Sequence, residues 1–239
     1  MASLKGKKVV VVGGSSGVGY AIAEAALSEG ASVVVSSSNP DNVAAAAKQL
    51  GGGGEGRPLD VRDSAAIANF FDGLGAFDHL AYTAGDWADG HRFSSQMDVE
   101  PEGGIDLMRV RFWGAKAAAQ HASRQMASGG SITFTSGMLG HRPMKGAPLT
   151  AAFVGALEHL TMGLAMELAP VRVNCVCLGL IRTPPVMRMG EEMVKGWTAR
   201  LPLPRPGEPD EAAQAYLYCM RAGYTTGQTL RVDGGGSLV

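Results

Sequence analysis

Residues 7–19 read KKVVVVGGSSGVG, in which four consecutive valines lead directly into glycines and serines. Valines favour a buried β-strand, and the glycines allow the chain to turn tightly where that strand ends. Residues 19–29 then have the pattern of a helix, with Gly30 as its C-terminal stop. A strand, a glycine turn and a helix in this order predict the first unit of a parallel sheet.

The same alternation continues along the chain. With the opening one included, seven strand-like segments end in Gly, Ser or Asp: LKGKKVVVVGG, ASVVVSSS, GRPLDV, FDHLAYTAG, GSITFTSG, VRVNCVCLG and QTLRVDGG. The predicted helices between them are residues 19–29, a helix that begins near Asn39, one capped by Ser64, residues 104–126 and residues 146–169. We therefore predict an α/β fold: a single doubly wound Rossmann-like domain over residues 1–239, with a seven-stranded parallel sheet flanked by helices.

Composition limits the class of protein. The chain has 239 residues, 46% of them hydrophobic, and a formal net charge of −1, so it can bury one substantial core but lacks a basic surface for nucleic acid or a membrane. The N-terminal apolar run is too short for a signal peptide, and we expect no membrane span. Cys175, Cys177 and Cys219 have no metal-ligand spacing, which favours buried thiols in a reducing compartment and a cytoplasmic protein.

The glycines of residues 13–19 also suit a phosphate. Parallel sheets of this kind bind ligands beyond the carboxyl ends of their strands. At that place the glycines would let the backbone approach a pyrophosphate, which is attracted by the unpaired amides at a helix N-terminus. The glycine pattern alone fits a tight turn that binds nothing equally well.

Six segments carry a resemblance to a known family: GGSSGVG, LDV, TAG, ITFTSG, ALEHLTMGLAMELAPVRVN and TGQTLRVDGG. In this order, and over nearly the whole chain, they resemble the short-chain dehydrogenase/reductase superfamily. The resemblance implies a Rossmann fold and a nicotinamide dinucleotide. The cofactor-binding residues that it implies are Gly13, Ser15, Ser16, Gly17, Val18, Gly19, Asp60, Val61, Thr83, Ala84, Gly85, Gly179, Ile181 and Thr183.

The end of the second strand indicates which dinucleotide is preferred. A site for NAD(H) usually has an acidic residue there, which binds the ribose hydroxyls and repels a 2′-phosphate. This chain has Ser36, Ser37 and Ser38 instead, followed by the helix that begins near Asn39. Hydroxyls and helix amides suit a phosphate, so we expect NADP(H), although the serines also fit a plain polar turn.

The catalytic residues of the family are largely replaced. The resemblance implies an Asn, a Ser, a Tyr and a Lys, and only Ser136 matches. Arg111, Thr150 and Val154 stand at the positions of the Asn, the Tyr and the Lys. A threonine hydroxyl is too weak an acid to replace a lysine-assisted phenol, so the usual proton donor is not expected here.

Residues 146–169 form a predicted amphipathic helix that carries almost nothing able to exchange a proton, and no tyrosine occurs between Tyr82 and Tyr216. Two routes to reduction remain. A cationic acceptor such as an iminium takes a hydride without a simultaneous proton. Alternatively, another acid serves a carbonyl, and the candidates are Arg111, His141, Arg142 and Lys145.

We predict Ser136, Arg111 and Lys145 as the catalytic group. Arg111 stays charged and suits an oxyanion or a carboxylate, whereas Lys145 can donate a proton if its loop folds over the nicotinamide. Each of them also fits a plain structural or solvated role. The remaining histidines, His79, His91, His121 and His159, have no metal-ligand spacing, and we expect no metal.

Residues 184–205 resemble the substrate lid of the family. Met187, Met189, Met193 and Trp197 would give this lid an adaptable apolar underside, and Trp87 and Trp113 would extend the wall. A bulky hydrophobic substrate follows from this interpretation. The same residues also fit the packing of the lid or a contact between subunits.

The leading hypothesis is an atypical NADP(H)-dependent oxidoreductase that reduces a hydrophobic carbonyl or an imine or iminium substrate. The alternatives are a catalytically silent dinucleotide-binding protein and a non-redox enzyme, such as a cyclase, on the same scaffold. The resemblance also implies a homodimer or a homotetramer. Small residues of the predicted helix, Ala151, Gly155 and Gly163, suit close packing against a second copy.

Overall fold

The computed structural model describes residues 3–85 and 96–239, and in this part of the chain seven parallel strands form one sheet. The strand order is β3-β2-β1-β4-β5-β6-β7. The strands are β1 (Lys8–Val12), β2 (Ser32–Ser36), β3 (Gly54–Gly56), β4 (Phe77–Tyr82), β5 (Met126–Gly137), β6 (Arg172–Leu178) and β7 (Thr229–Val232). The predicted α/β class with a seven-stranded parallel sheet is confirmed.

Helices connect the strands. They are α1 (Gly17–Ser28), α2 (Pro40–Leu50), α3 (Ser64–Asp72), α4 (Pro101–Met108), α5 (Ala115–Ala122), α6 (Pro148–Glu167), α7 (Pro184–Met187), α8 (Glu191–Thr198) and α9 (Pro209–Arg221). Asn39 caps α2 as the sequence predicts, because its side chain accepts a hydrogen bond from the amide of Asn42.

The valines of β1 show how both faces of the sheet are covered. Val9 and Val11 belong to one buried cluster, and Val10 and Val12 belong to the other, since successive side chains of a strand point to opposite faces. The first cluster contains residues of α1, α2 and α9. The second contains residues of α3, α5 and α6. The sheet therefore lies between two apolar layers.

Two boundaries near the third strand differ from the prediction. The third strand pairs with β2 over Gly54–Gly56 and overlaps the predicted GRPLDV segment, residues 56–61, only at Gly56. Beyond Gly56 the amides of Arg57 and Leu59 still donate to the carbonyls of Val35 and Ser37. The helix α3 is capped by Asp63 rather than Ser64, since the Asp63 carboxylate accepts hydrogen bonds from two amides of the first turn.

The predicted helix over residues 104–126 is not continuous. It begins earlier, as α4, and it changes into a π-helix over Arg109–Gly114 before α5 begins. Met126 already belongs to β5. Inserted π-helical turns often occur at functional sites, because they turn a side chain out of the regular helical direction. Here the π-helix contains Arg111.

The helix α6 is the one helix of residues 3–85 and 96–239 with the length and apolar composition of a membrane span, at a mean hydropathy of 1.4. Core helices of soluble proteins have the same composition, and a third of the span is buried in the fold. The buried residues of α6 include Val154, Leu157 and Glu158.

The chain reverses its direction of travel across the sheet after β3. It passes from β1 to β2 and β3 at one edge, and it then crosses to β4 on the other side of β1. Such a reversal leaves a crevice outside the carboxyl ends of β1 and β4, where ligands bind in sheets of this type.

Candidate active site

A cavity of about 580 Å³ lies along the carboxyl ends of the strands. It extends from the glycine turn after β1 to the segment that follows β6. The predicted cofactor residues that line it are Gly13, Ser15, Ser16, Gly17, Val18, Gly19, Ser37, Ser38, Asp60, Val61, Thr83, Ala84, Gly85, Gly179, Ile181 and Thr183. Two predicted catalytic residues, Ser136 and Arg111, line it as well.

The glycine turn is packed so closely that side chains do not fit in it. A Cβ atom on Gly13 would lie 2.5 Å from the amide nitrogen of Ala84, and one on Gly19 would overlap the carbonyl oxygen of Gly13. The Thr83 hydroxyl donates to the carbonyls of Val12 and Gly13 at 3.1 Å. The turn is therefore held against the end of β4.

The N-terminus of α1 faces this turn. Ser16 is its capping residue and makes no side-chain hydrogen bond to the first helical turn, so no hydroxyl occupies the amides there. The unpaired amides and the positive end of the helix dipole attract a phosphate. The glycine turn, this helix end and the long cavity together fit the pyrophosphate of a dinucleotide.

The three serines after β2 have different environments. Ser37 and Ser38 line the cavity, but Ser36 is fully buried, and its hydroxyl has no hydrogen-bond partner in the described part of the chain. The carbonyl of Ser36 instead accepts hydrogen bonds from the amides of Gly13 and Gly14, at 2.8 and 3.0 Å. Ser36 therefore supports the glycine turn through its backbone rather than facing a ligand, which differs from the sequence expectation.

Arg62 is a cavity residue that the sequence interpretation missed. It follows Asp60 and Val61 and lines the same cavity as Ser37 and Ser38. The Asp60 carboxylate accepts a hydrogen bond from the Arg62 amide at 3.0 Å, and the two side chains form an ion pair at 3.5 Å. A guanidinium group in this wall suits a phosphate.

The other half of the cavity has mainly apolar walls. The apolar residues that line it are Leu107, Val110, Met138, Leu139, Met144, Phe153, Val154, Val186, Trp197 and Leu201. Thr150 and Val154, one helical turn apart in α6, both line this half. The amide group of the buried Gln96 donates to the Thr150 hydroxyl at 2.9 Å and accepts from the Thr150 backbone amide at 3.0 Å.

Arg111 lies in the wall of the cavity because the π-helix places it there. Its guanidinium packs on Gly85: a Cβ atom on Gly85 would lie 2.5 Å from Arg111 Cζ. The Tyr82 hydroxyl donates to the carbonyl of Val110 at 2.6 Å, within the same π-helix. A glycine and a tyrosine thus support the position of the arginine.

Lys145 lies elsewhere. Its side chain is exposed and does not line the cavity, and Arg142 is exposed as well. Both belong to the polar segment between β5 and α6. The structure therefore brings Ser136 and Arg111 into the cavity and leaves Lys145 at the surface beside it.

A buried carboxylate lies directly behind Ser136. Glu158 of α6 is 8% exposed and accepts a hydrogen bond from the Ser136 hydroxyl at 2.6 Å. It also pairs with Nε2 of His141 at 2.9 Å. Arg231 of β7 contacts Nδ1 of the same imidazole at 3.2 Å. The sequence interpretation missed Glu158, whose only signal was a carboxylate on the apolar face of a helix.

Cys177 completes this cluster. Its sulfur lies within 4.8 Å of the ligand atoms of His141 and Glu158, so these three residues offer the donor types of a metal site. Burial raises the pKa of Cys177 to about 12, and the nearby Glu158 carboxylate adds to the rise. A thiol in this environment keeps its proton and is not a nucleophile.

The hydroxyl groups of Tyr82 and Tyr216, the two tyrosines next to the cavity, already donate hydrogen bonds within the protein. The Thr135 hydroxyl donates to the Tyr82 carbonyl at 2.8 Å, so the Tyr216 hydroxyl, 2.6 Å away, must donate to Thr135. The Tyr82 hydroxyl donates to Val110. Burial also raises the pKa of Tyr216. Neither phenol lines the cavity.

The segment predicted as a substrate lid, residues 184–205, contains α7 and α8. Trp197 lines the cavity from α8, whereas Met187, Met189 and Met193 do not, and Met187 and Met193 are 42% and 48% exposed. The expected methionine underside is therefore wrong for these positions, where prolines and Val186 form the wall instead. Trp113 is 52% exposed and does not line the cavity, and Trp87 lies outside the described residues.

The segment that leads into the lid also contacts the glycine turn. A Cβ atom on Gly17 would lie 3.0 Å from Cγ2 of Thr183. Thr183 precedes α7 directly, so the start of the lid rests against the N-terminus of α1.

The sheet order, the glycine turn and the cavity at the strand ends define the class of Rossmann-type α/β proteins. The chain belongs to the short-chain dehydrogenase/reductase superfamily of oxidoreductases, and a family model described as enoyl-(acyl carrier protein) reductase matches residues 12–237.

Relatives of known name cover the whole chain. The short-chain dehydrogenase/reductase ATR9 of Stachybotrys chlorohalonatus is 33% identical over 259 residues, which span 100% of both chains. The crystal structure of a small-chain dehydrogenase in complex with NADPH has a TM-score of 0.83 and 35% identity, and the match covers 98% of this chain and 100% of that one. MalC reductase/Diels-Alderase of Malbranchea aurantiaca has a TM-score of 0.90 and 27% identity, with 99% and 98% covered.

Proposed function

We propose that this protein is an NADP(H)-dependent reductase that acts on a hydrophobic carbonyl, imine or iminium substrate with a non-standard active site. The observation that carries the proposal is one continuous cavity, in which a turn that fits a phosphate and a mainly apolar chamber meet at Ser136 and Arg111. A dinucleotide along the first half would supply the hydride, and the apolar half would hold the acceptor.

The preference for NADP(H) is supported by the groups after β2. Ser37 and Ser38 line the cavity where an acidic residue would select against a 2′-phosphate, and Arg62 contributes a guanidinium to the same wall. A relative with 35% identity is in complex with NADPH. Positive charge and hydroxyl donors together favour the phosphorylated ribose.

The non-standard chemistry follows from what the chain has near the substrate chamber. Thr150 and Val154 stand where the family resemblance implies the Tyr and the Lys, and the phenols of Tyr82 and Tyr216 are engaged elsewhere. An iminium acceptor needs no proton from the protein at the moment of hydride transfer. Arg111 would orient a carboxylate or a carbonyl oxygen of the substrate, because its guanidinium stays charged.

The outer face of α6 supports a homodimer or a homotetramer. Gly155 and Gly163 have open space where side chains would stand, and Met162 and Met166 are 47% and 83% exposed on the same helix. A second copy of α6 would cover this face closely.

Three buried free thiols suit a reducing compartment, so we place the reaction in the cytoplasm.

Two measurements test the proposal. NADPH should raise the melting temperature more than NADH at equal concentration, and Ser38→Asp should reverse that order, whereas equal shifts with wild type would contradict the preference.

Cyclic imines and hydrophobic ketones should then oxidise NADPH. Ser136→Ala and Arg111→Ala should lower kcat/KM by about 10²–10³-fold through lost stabilisation of the reacting oxygen or nitrogen. Arg142→Ala, an exposed arginine, is the matched control.

A second candidate is a cyclisation catalyst on the same scaffold, because one structural relative is described as a reductase/Diels-Alderase. An apolar chamber with one fixed cation suits the folding of a reactive intermediate. Product analysis would separate the candidates: a cyclised product formed without NADPH oxidation favours the cyclase. Tight NADPH binding without turnover of any substrate favours a silent dinucleotide-binding protein.

A further inference from the structure

The cluster behind Ser136 has a defined arrangement of protons. A guanidinium only donates hydrogen bonds, so Nδ1 of His141, which faces Arg231 at 3.2 Å, must be the unprotonated acceptor. Nε2 then carries the hydrogen and donates it to Glu158. The Ser136 hydroxyl donates to the same carboxylate. Glu158 is therefore the common acceptor of two side-chain hydrogens.

This arrangement disfavours a metal at the three donor groups. A neutral imidazole that bound a metal through Nε2 would have to carry its hydrogen on Nδ1. That hydrogen would point at the guanidinium of Arg231, which also has only hydrogens to offer. A metal ligand of this kind normally donates its second ring N–H to a carboxylate or a carbonyl instead. The hydrogen-bond pattern of the cluster therefore favours proton exchange over metal binding.

Ser136 connects the cluster with the substrate chamber. Its side chain lines the cavity, whereas Glu158 and His141 do not. Glu158 lies one helical turn beyond Val154, on the face of α6 that is turned towards β5 and β6. Its side chain is 11% exposed and thus retains a narrow contact with solvent. The chain offers a two-step path from the substrate through Ser136 to Glu158.

We propose that Glu158 exchanges protons with the substrate through the Ser136 hydroxyl, and that His141, held by Arg231, is a positioning residue for this carboxylate. The proposal rests on the proposed function. In reduction of a ketone, Glu158 first takes up a proton from solvent, which reverses its hydrogen bond with Ser136. It then gives this proton to Ser136 Oγ as the Ser136 O–H bond breaks and the Ser136 proton passes to the carbonyl oxygen. The carbonyl carbon receives the hydride of the reduced dinucleotide, and the ionised Glu158 regains a proton from solvent.

The reverse direction follows the same path. The hydroxyl proton of an alcohol passes to Ser136 Oγ, the Ser136 proton passes to ionised Glu158, and the hydride leaves the carbinol carbon for the oxidised dinucleotide. One proton and one hydride cross in each direction. Because an iminium accepts only the hydride, its reduction does not require this proton path.

The difference between ketone and iminium gives the test. Glu158→Gln retains the size of the side chain and an acceptor for Ser136 but cannot exchange a proton. We expect the ratio of kcat for a hydrophobic ketone to kcat for a preformed cyclic iminium to fall by about 10²–10⁴-fold, the usual contribution of a positioned acid. NADPH affinity and the circular dichroism spectrum check that the variant is folded.

Two further variants complete the design. Glu158→Asp restores a carboxylic acid one methylene shorter, and it should recover part of the ketone rate that Glu158→Gln loses. Glu167→Gln removes an exposed carboxylate from the end of the same helix and should leave the ratio unchanged. Recovery by Asp distinguishes a proton-exchanging role from a purely structural one.

Each outcome decides the matter. An unchanged ratio in Glu158→Gln overturns the proton path, and so does an equal loss on both substrates. Iminium reduction by wild type without any ketone reduction also overturns it while leaving the proposed reductase in place. No NADPH oxidation with either substrate class would overturn the proposed function and this inference together.

Discussion

The two halves of the cavity are constructed in different ways. The half beyond the carboxyl ends of β1, β2 and β4 consists largely of backbone. It is a glycine turn without room for side chains, held by the Ser36 carbonyl and the Thr83 hydroxyl. The half beyond the ends of β5 and β6 consists of side chains from distant segments, among them Arg111, Ser136 and Phe153. Local sequence determines the first half, and tertiary packing determines the second.

This contrast explains which half tolerates change. A backbone site depends on the absence of side chains, so nearly any substitution in the glycine turn disturbs it. A side-chain site can lose one group and keep its shape. Substitutions in the glycine turn are therefore expected to have larger effects than substitutions where the two halves meet.

The largest effect is expected at Gly19. Gly19→Ala places a methyl group onto the Gly13 carbonyl, so the turn must move. We expect NADPH affinity to fall by about 100-fold, the typical cost of a misplacement near 1 Å at a positioned site. Isothermal titration calorimetry measures it. Gly52→Ala, at a glycine with open space around it, is the control, and equal losses in both variants would contradict the argument.

The next largest effect concerns the stability of the fold in acid and comes from His79, which does not line the cavity. Burial lowers the pKa of His79 in β4 to about 4, against the opposing charge of Asp78 and with Arg172 and Lys7 adding to the fall. Between pH 6.5 and about 4 the unfolded chain binds a proton at His79 that the folded chain does not. The free energy of unfolding should therefore decrease by about 2 kcal/mol from pH 7 to pH 5.

Urea unfolding at both pH values measures this decrease. His79→Gln should remove most of the slope, whereas His159→Gln, at an exposed histidine of α6, should retain it. If the slope survives in His79→Gln, the acid response belongs to other groups.

The smallest effect is expected where the two halves meet. Gly85→Ala places a methyl group against the Arg111 guanidinium, which is the flexible end of a long side chain and can move aside. KM for the substrate should rise several-fold, roughly 1 kcal/mol in binding, with little change in NADPH affinity. Arg111→Ala provides the reference, since a larger effect of Gly85→Ala than of Arg111→Ala would show that the glycine acts on the turn instead.

The fold and the phosphate turn were predictable from sequence because their signals are local. The valines of β1, the glycines of residues 13–19 and the alternating pattern each describe a few neighbouring residues. The errors of the fold prediction concern boundaries. Asp63 rather than Ser64 caps α3, since its carboxylate reaches two amides, and β3 pairs with β2 over Gly54–Gly56, mostly ahead of the predicted segment.

The Glu158 cluster was not predictable in the same way. Its members Ser136, His141, Glu158 and Arg231 come from β5, the following loop, α6 and β7, and no spacing in the chain records that they meet. A carboxylate among the apolar residues of α6 was the one signal present. From the sequence alone, Glu158 is expected to be exposed, because the sheet that covers it is not apparent in the pattern of α6. The positions of Ser36, Lys145 and the lid methionines similarly depend on which way each side chain faces.

The contact between Thr183 and Gly17 joins the two halves mechanically. The start of the predicted lid lies next to the turn that fits a pyrophosphate, so the position of one constrains the position of the other. A substitution that moves Thr183 is therefore expected to weaken dinucleotide binding and also to change access to the apolar half of the cavity.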